Sequence, residues 1–193
     1  MPRRDREPDT ARLDPRDPFV IDTRELGRRP GSMRSLTRSV PAPKHLGTDV
    51  IGVPEGSTME LELRLEAVME GVLVSGTAQG QVRGECVRCL EPLEETLEVD
   101  LQELYAYPGS SSAEADEDEV HQLEGDLLDL EPVVRDAVVL ALPQQPVCEE
   151  DCAGLCVECG ARLSDDPEHT HEALDPRWAA LGGLLGEQRP EQP

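Results

Sequence analysis

Aromatic side chains are almost missing from this chain: Phe19, Tyr105, Tyr107 and Trp178 are the only ones among 193 residues. Lysine is scarcer still. Lys44 stands alone, so nearly all positive charge is carried by arginine. With 37% hydrophobic residues, a modest aliphatic core is expected and a large one is excluded. Long apolar runs are absent too. The longest, Ala137 to Leu142, is far short of the roughly 20 residues that a membrane span needs. Met1 to Asp9 is polar and charged and leads into no apolar stretch, so no secretory signal is expected. Catalytic signatures are missing as well: no GxSxG elbow, P-loop, GxGxxG fingerprint or HExxH helix occurs. His45 and His121 stand isolated in expected loops. These absences point to a cytoplasmic protein that is not an enzyme.

What is abundant is acid. There are 41 acidic residues against 18 basic ones, a formal net charge of −23. Such a surface repels phosphate backbones and anionic membranes and suits basic partners. The one basic stretch runs from Arg24 to Lys44. It includes Arg28, Arg29, Arg34 and Arg38, with Glu25 as its only acid. Its Gly27, Pro30, Gly31, Pro41 and Pro43 make it a loop or short strands rather than a helix.

The middle of the chain reads as β-structure. Leu61, Leu63, Leu65 and Ala67 alternate with charged residues, Val72, Val74, Gly76, Ala78, Gly80 and Val82 with Leu73, Ser75, Thr77, Gln79 and Gln81, and Leu97, Val99 and Leu101 with Glu98, Asp100 and Gln102. A two-residue period over three runs argues for half-buried antiparallel strands. Glu70-Gly71 marks a tight turn between the first two. Gly76, Ala78 and Gly80 thin one face, which implies a bend or the close approach of another backbone. Pro18 to Asp22 suits a short strand. A helix is expected after Asp129, with Pro132 in its first turn, an apolar surface from Val133, Val134, Ala137, Val138, Leu140 and Ala141, and an end at Pro143.

The expected organisation has four parts: a disordered arm (1–12), an α+β domain (13–143), a cysteine-rich metal module with a closing helix (144–185), and a disordered tail (186–193). The α+β domain carries an acidic disordered loop at 108–120. Its sheet is expected to be antiparallel, with a barrel-like form as one option, and to carry one main packed helix. The closing helix would start at Asp175-Pro176 and carry Trp178, Leu181 and Leu184.

Six cysteines in a reducing compartment point to metal binding rather than disulfides. Cys148, Cys152, Cys156 and Cys159 lie in one short segment with Gly154 and Gly160. A CxxC pair followed by glycine is a turn that aims two thiolates at one ion, and zinc takes four such ligands in a tetrahedron. These four could close a zinc site alone. Alternatively, Cys156 and Cys159 could pair with His169 and His171, or with Cys86 and Cys89. A four-thiolate zinc site carries a charge of −2, unwelcome beside Glu149, Glu150 and Asp151, whereas a mixed Cys/His site is neutral. A thiol-redox role needs depressed thiol pKa values, usually where a strand enters a helix. Cys86-Val87-Arg88-Cys89 leads instead into another strand, and the acids around Cys148 and Cys152 oppose thiolate formation.

The string VRGECVRCLEP from Val82 to Pro92 resembles the signature of the YceD family. DLEPVVRDAVVLALP (129–143), PVCEEDCAGLCVECG (146–160) and DPRWAAL (175–181) resemble that family's later segments, in the same order. The resemblance spans roughly residues 13 to 185. Members are known as large ribosomal RNA subunit accumulation proteins. The resemblance therefore implies a factor in processing or assembly that binds precursor large-subunit RNA or a basic ribosomal protein. It implies no catalytic residues. Many relatives carry a Cys-x-Cys pair where this chain has His169-Thr170-His171. If RNA is contacted, the expected residues are Arg28, Arg29, Arg34 and Arg38, since RNA affinity rests largely on cation contacts with phosphates. The alternative is that these arginines pair with the chain's own acids. A different class of function, a zinc-holding or thiol-redox protein serving metal supply, fits the cysteines alone.

Overall fold

The computed structural model describes residues 13–110 and 120–171. The expected arm (1–12), the acidic run at 111–119, the closing helix with Trp178, Leu181 and Leu184, and the tail (186–193) lie outside the described residues. The chain divides into two compact units, Met1–Cys148 and Glu149–Pro193.

The first unit is an antiparallel sheet with one helix, an α+β arrangement. Its strands are β1 (Val20–Asp22), β2 (Met33–Pro41), β3 (Leu46–Gly47), β4 (Ile51–Val53), β5 (Thr58–Ala67), β6 (Gly71–Glu85), β7 (Pro92–Ala106) and β8 (Leu127–Asp129), followed by α1 (Glu131–Ala141). The alternation in β5 survives intact: Met59, Leu61, Leu63, Leu65 and Ala67 are buried, and Glu60, Glu62 and Arg64 are exposed. β6 is the spine. β7 pairs with it from Gly71↔Ala106 to Glu85↔Pro92. Along its other side β5 takes the first part, from Val72 to Gly80, and β4 takes Arg83 and Gly84. β2 pairs with β5, and β3 with β4.

The expected barrel does not form; the sheet is open. Its order runs β2-β5-β6, with β7 on the far side of β6 and the β4-β3 ribbon branching from its end. Branching uses up pairing length on β6 instead of carrying strands around a circumference, so too few strands remain for closure. The apolar face is covered instead by a separate β1-β8 pair and by α1, which contribute Ile21, Leu128, Leu130, Val134 and Val138 to one continuous core. Tyr105 is the large anchor in that core. It is 1% exposed, and its hydroxyl donates to the Asp129 carbonyl at 2.7 Å.

The basic stretch holds one nine-residue strand, β2, longer than the sequence suggests. Arg34 and Arg38 alternate with Ser35, Thr37 and Ser39 and share a face with Leu36 and Val40. Charge at inward positions hid the two-residue period. In α1, Pro132 lies in the first turn, as the sequence implies, but the N-cap position is Leu130; Asp129, one residue earlier, accepts the Glu131 N–H on Oδ1 at 3.0 Å. The apolar surface is narrower than expected: Val134 and Val138 are buried, but Leu140 is 86% exposed. Leu142 leaves the helix in an extended conformation ahead of Pro143.

The second unit, over its described residues 149–171, contains turns and a single bridge, Leu155↔Arg162.

Candidate metal centre

Two turns of the chain have the same construction. In the first, the hairpin tip between β6 and β7, Cys86 N–H donates to the Glu91 carbonyl at 2.8 Å, and Leu90 N–H donates to the Cys86 carbonyl at 2.9 Å. In the second, Cys156 N–H donates to the Ala161 carbonyl at 2.7 Å, and Gly160 N–H to the Cys156 carbonyl at 2.8 Å. The fifth residue is left-handed in both, with φ 60° at Leu90 and 73° at Gly160. This reversal brings the two cysteines of a CxxC pair to one side. It is the expected metal-binding turn, built twice.

The first turn gathers a third thiol. Cys86, Cys89 and Cys148 bring their sulfurs within 4.8 Å of one another, with Cys89 Sγ and Cys148 Sγ 3.6 Å apart. Val87 N–H donates to the Pro146 carbonyl at 2.9 Å, which holds the approach to Cys148 against the hairpin tip. None of the six cysteines forms a disulfide. Zinc–sulfur bonds of about 2.3 Å place tetrahedral sulfurs about 3.8 Å apart, so the 3.6 Å separation fits two ligands of one ion. Burial pushes the Cys86 thiol up, but the backbone N–H groups of Cys89, Cys148 and Arg88 outweigh it and bring it down to about 6. Cys86 has no exposed surface. A depressed thiol that solvent cannot reach suits a metal ligand better than a redox nucleophile. The pair also sits between two strands rather than at a helix start.

The second turn lies in the second unit and gathers two imidazoles. Cys156, Cys159, His169 and His171 bring their ligand atoms within 4.8 Å of one another. Cys159 Sγ is 3.2 Å from Nε2 of each histidine, and those two nitrogens are 2.8 Å apart. The N–H groups of Cys159 and Glu158 lower the Cys156 thiol to about 7, against a smaller opposing effect of burial.

Cys148, Cys152, Cys156 and Cys159, the set that the sequence offers first, are thus divided. Cys148 converges with Cys86 and Cys89, whereas Cys156 and Cys159 converge with His169 and His171. Cys152 follows Cys148 by one turn of chain, is 7% exposed, and donates its N–H to the Glu149 carbonyl at 3.1 Å. Both histidines left open by the sequence are at a cluster.

The arginines are mostly engaged by the protein itself. Arg38 Nη1 donates to the carbonyls of Pro18 and Val20 at 2.9 and 3.0 Å. Arg34 pairs with Glu25 at 3.1 Å. Arg28 reaches Asp126 at 3.4 Å and lies over the Tyr107 ring, 5.0 Å from its centroid. Arg29 is exposed.

The sequence pattern of the family described as "Large ribosomal RNA subunit accumulation protein YceD" matches residues 74–185. That range includes both CxxC turns and both histidines. The chain belongs to the YceD family. The uncharacterized protein Rv2926c of Mycobacterium tuberculosis is 46% identical over 178 residues, covering 92% of this chain and 86% of its own. The uncharacterized protein ML1660 of Mycobacterium leprae is 40% identical over 175 residues, covering 90% and 81%. YlbN of Bacillus subtilis, also uncharacterized, is 27% identical over 136 residues, covering 67% and 75%. No solved structure matches the chain. YceD membership ties this chain to the accumulation of large-subunit ribosomal RNA, and its two cysteine-containing clusters are able to hold metal ions. No helix among the described residues is long and apolar enough to cross a membrane.

Proposed function

We propose that this protein is a non-catalytic factor in assembly of the large ribosomal subunit, and that it acts by holding a basic large-subunit protein rather than by gripping RNA directly. The observation that carries this choice is the division of charge. Arg28, Arg34 and Arg38, the natural phosphate contacts, are tied to Asp126, Glu25 and backbone carbonyls. The exposed sheet face carries Glu60 and Glu62 on β5 and Glu98 and Asp100 on β7, in two neighbouring rows that cross β6. An acidic face attracts a cationic protein and repels phosphate. A zinc ion on Cys86, Cys89 and Cys148 has a structural role in this reading. Zinc would fix the β6–β7 hairpin tip to the segment after α1.

Crosslinking of tagged protein in growing cells, followed by identification of the bound species, tests the proposal. A basic large-subunit protein should be recovered, and depletion of the factor should lower large-subunit RNA relative to small-subunit RNA. Recovery of precursor RNA that is lost with Arg29→Ala, while the fold is retained, would reject the protein-partner reading in favour of direct RNA contact.

A further inference from the structure

Among the described residues of the second unit, 149–171, little apolar surface is buried. The continuous apolar core ends at Leu142 and includes no described residue after it. Val157 is fully exposed, and residues 149–171 contain neither helix nor strand. Ordering a backbone costs about 1–2 kcal/mol per residue, and segments that bury little apolar surface commonly rely on metals or disulfides. Disulfides are absent.

We infer that Cys156, Cys159, His169 and His171 form a second zinc site, separate from the one at Cys86, and that this ion folds the segment around it. Three groups that offer lone pairs, Cys159 Sγ and the Nε2 atoms of His169 and His171, point at one another at 3.2, 3.2 and 2.8 Å. Hydrogen bonds alone do not satisfy all three contacts, because each Nε2 of a neutral imidazole either donates once or accepts once and would here need two partners. A cation between them does. The spacings are a few tenths of an ångström inside the edges of a zinc tetrahedron, about 3.3–3.6 Å for nitrogen and sulfur ligands. His171 adds an independent sign. Its Nδ1 lies 3.5 Å from Glu158 Oε2 while its Nε2 faces the cluster. A carboxylate on the outer nitrogen is the usual support of a zinc-bound histidine: it fixes the tautomer and raises ligand basicity.

The two sites differ in chemistry. Two thiolates and two neutral imidazoles cancel the zinc charge, so the second site adds no negative charge to an acidic chain. Cys159 and His171 are exposed, whereas Cys86 and Cys89 are buried. The second ion should therefore be lost first to a chelator.

Metal analysis of the full chain tests this, together with cobalt substitution as a spectroscopic probe. Wild type should hold about two zinc ions per chain, and His169→Ala/His171→Ala about one, with the sheet's circular dichroism unchanged. His169→Cys keeps a ligand, so it should retain both ions and strengthen the thiolate-to-cobalt absorption. A single zinc in wild type that survives the double histidine substitution overturns the inference. So does loss of all metal from the double variant, or a His169→Cys spectrum identical to wild type.

Discussion

Leu90 occupies a left-handed position, φ 60°, that Gly160 fills in the matching turn at φ 73°. For an L-residue with a Cβ this conformation costs about 1–2 kcal/mol. The Leu90 side chain recovers little by packing, since it is 58% exposed. Leu90→Gly should therefore stabilise the protein by about 0.5–1 kcal/mol, part of the relief being offset by the greater freedom of glycine in the unfolded chain. The urea midpoint should rise with no change of slope. A lower midpoint would mean that the leucine side chain makes contacts its exposure does not suggest. The same pair explains what the sequence announces at the residue scale. CxxC followed by glycine marks the Cys156 turn openly. The Cys86 turn has the same hydrogen bonds but a leucine in the telling place, so its geometry is legible only in the fold.

At the scale of elements, β5 and β6 are pressed together at one point. Gly76 has φ 152°, and a Cβ placed on it would lie 2.0 Å from the Glu62 carbonyl oxygen of β5. Gly80, four residues along the same strand, has no such contact; its Cβ would meet only the Met59 side chain at 3.4 Å and Val53 at 3.6 Å. Gly76→Ala should cost about 3 kcal/mol or more, because two paired backbones must separate, and Gly80→Ala should stay within about 1 kcal/mol of wild type. Chemical denaturation of the two variants side by side checks this, and equal costs would place the constraint elsewhere. The run of small residues was legible as a thin face; which glycine is indispensable was not, since it depends on the partner strand. The same division holds for the other elements. β5 is plain from Leu61, Leu63 and Leu65, because one face is core and the other water. β2 is concealed because Arg34 and Arg38 take inward positions and find Glu25 and the carbonyls of Pro18 and Val20 there. The helix was legible from Pro132 to Pro143, but its periodicity overstated the buried stripe at Leu140. The cysteines show the limit most clearly. The sequence offers four neighbours first as one cluster, with Cys156 and Cys159 beside His169 and His171 as an alternative whose ligand atoms do converge. The meeting of Cys89 and Cys148, 59 residues apart, at 3.6 Å depends instead on a hairpin tip and the chain beyond α1 coming together.

For the molecule as a whole, the net charge of −23 sets the terms of any association. On the sheet, Glu60, Glu62, Glu98 and Asp100 face outward in paired positions. Glu60 lies opposite Gln79 and that residue opposite Glu98, while Glu62 lies opposite Thr77 and that residue opposite Asp100. Four acids in adjoining rows, with uncharged Gln79 and Thr77 between them, make a surface suited to steering the cationic protein partner proposed above. Steering of this kind acts on the rate of encounter and fades with salt, because the Debye length shrinks to about 8 Å at physiological ionic strength. Neutralising the four acids to Gln or Asn should slow association with a basic large-subunit protein about tenfold at low salt, leave dissociation nearly unchanged, and flatten the salt dependence. Stopped-flow association at two ionic strengths measures all three. The substitutions sit on the solvent face and remove like-charge repulsion, so the fold should hold. Association that stays fast and equally salt-sensitive after neutralisation would move the docking surface off this sheet face.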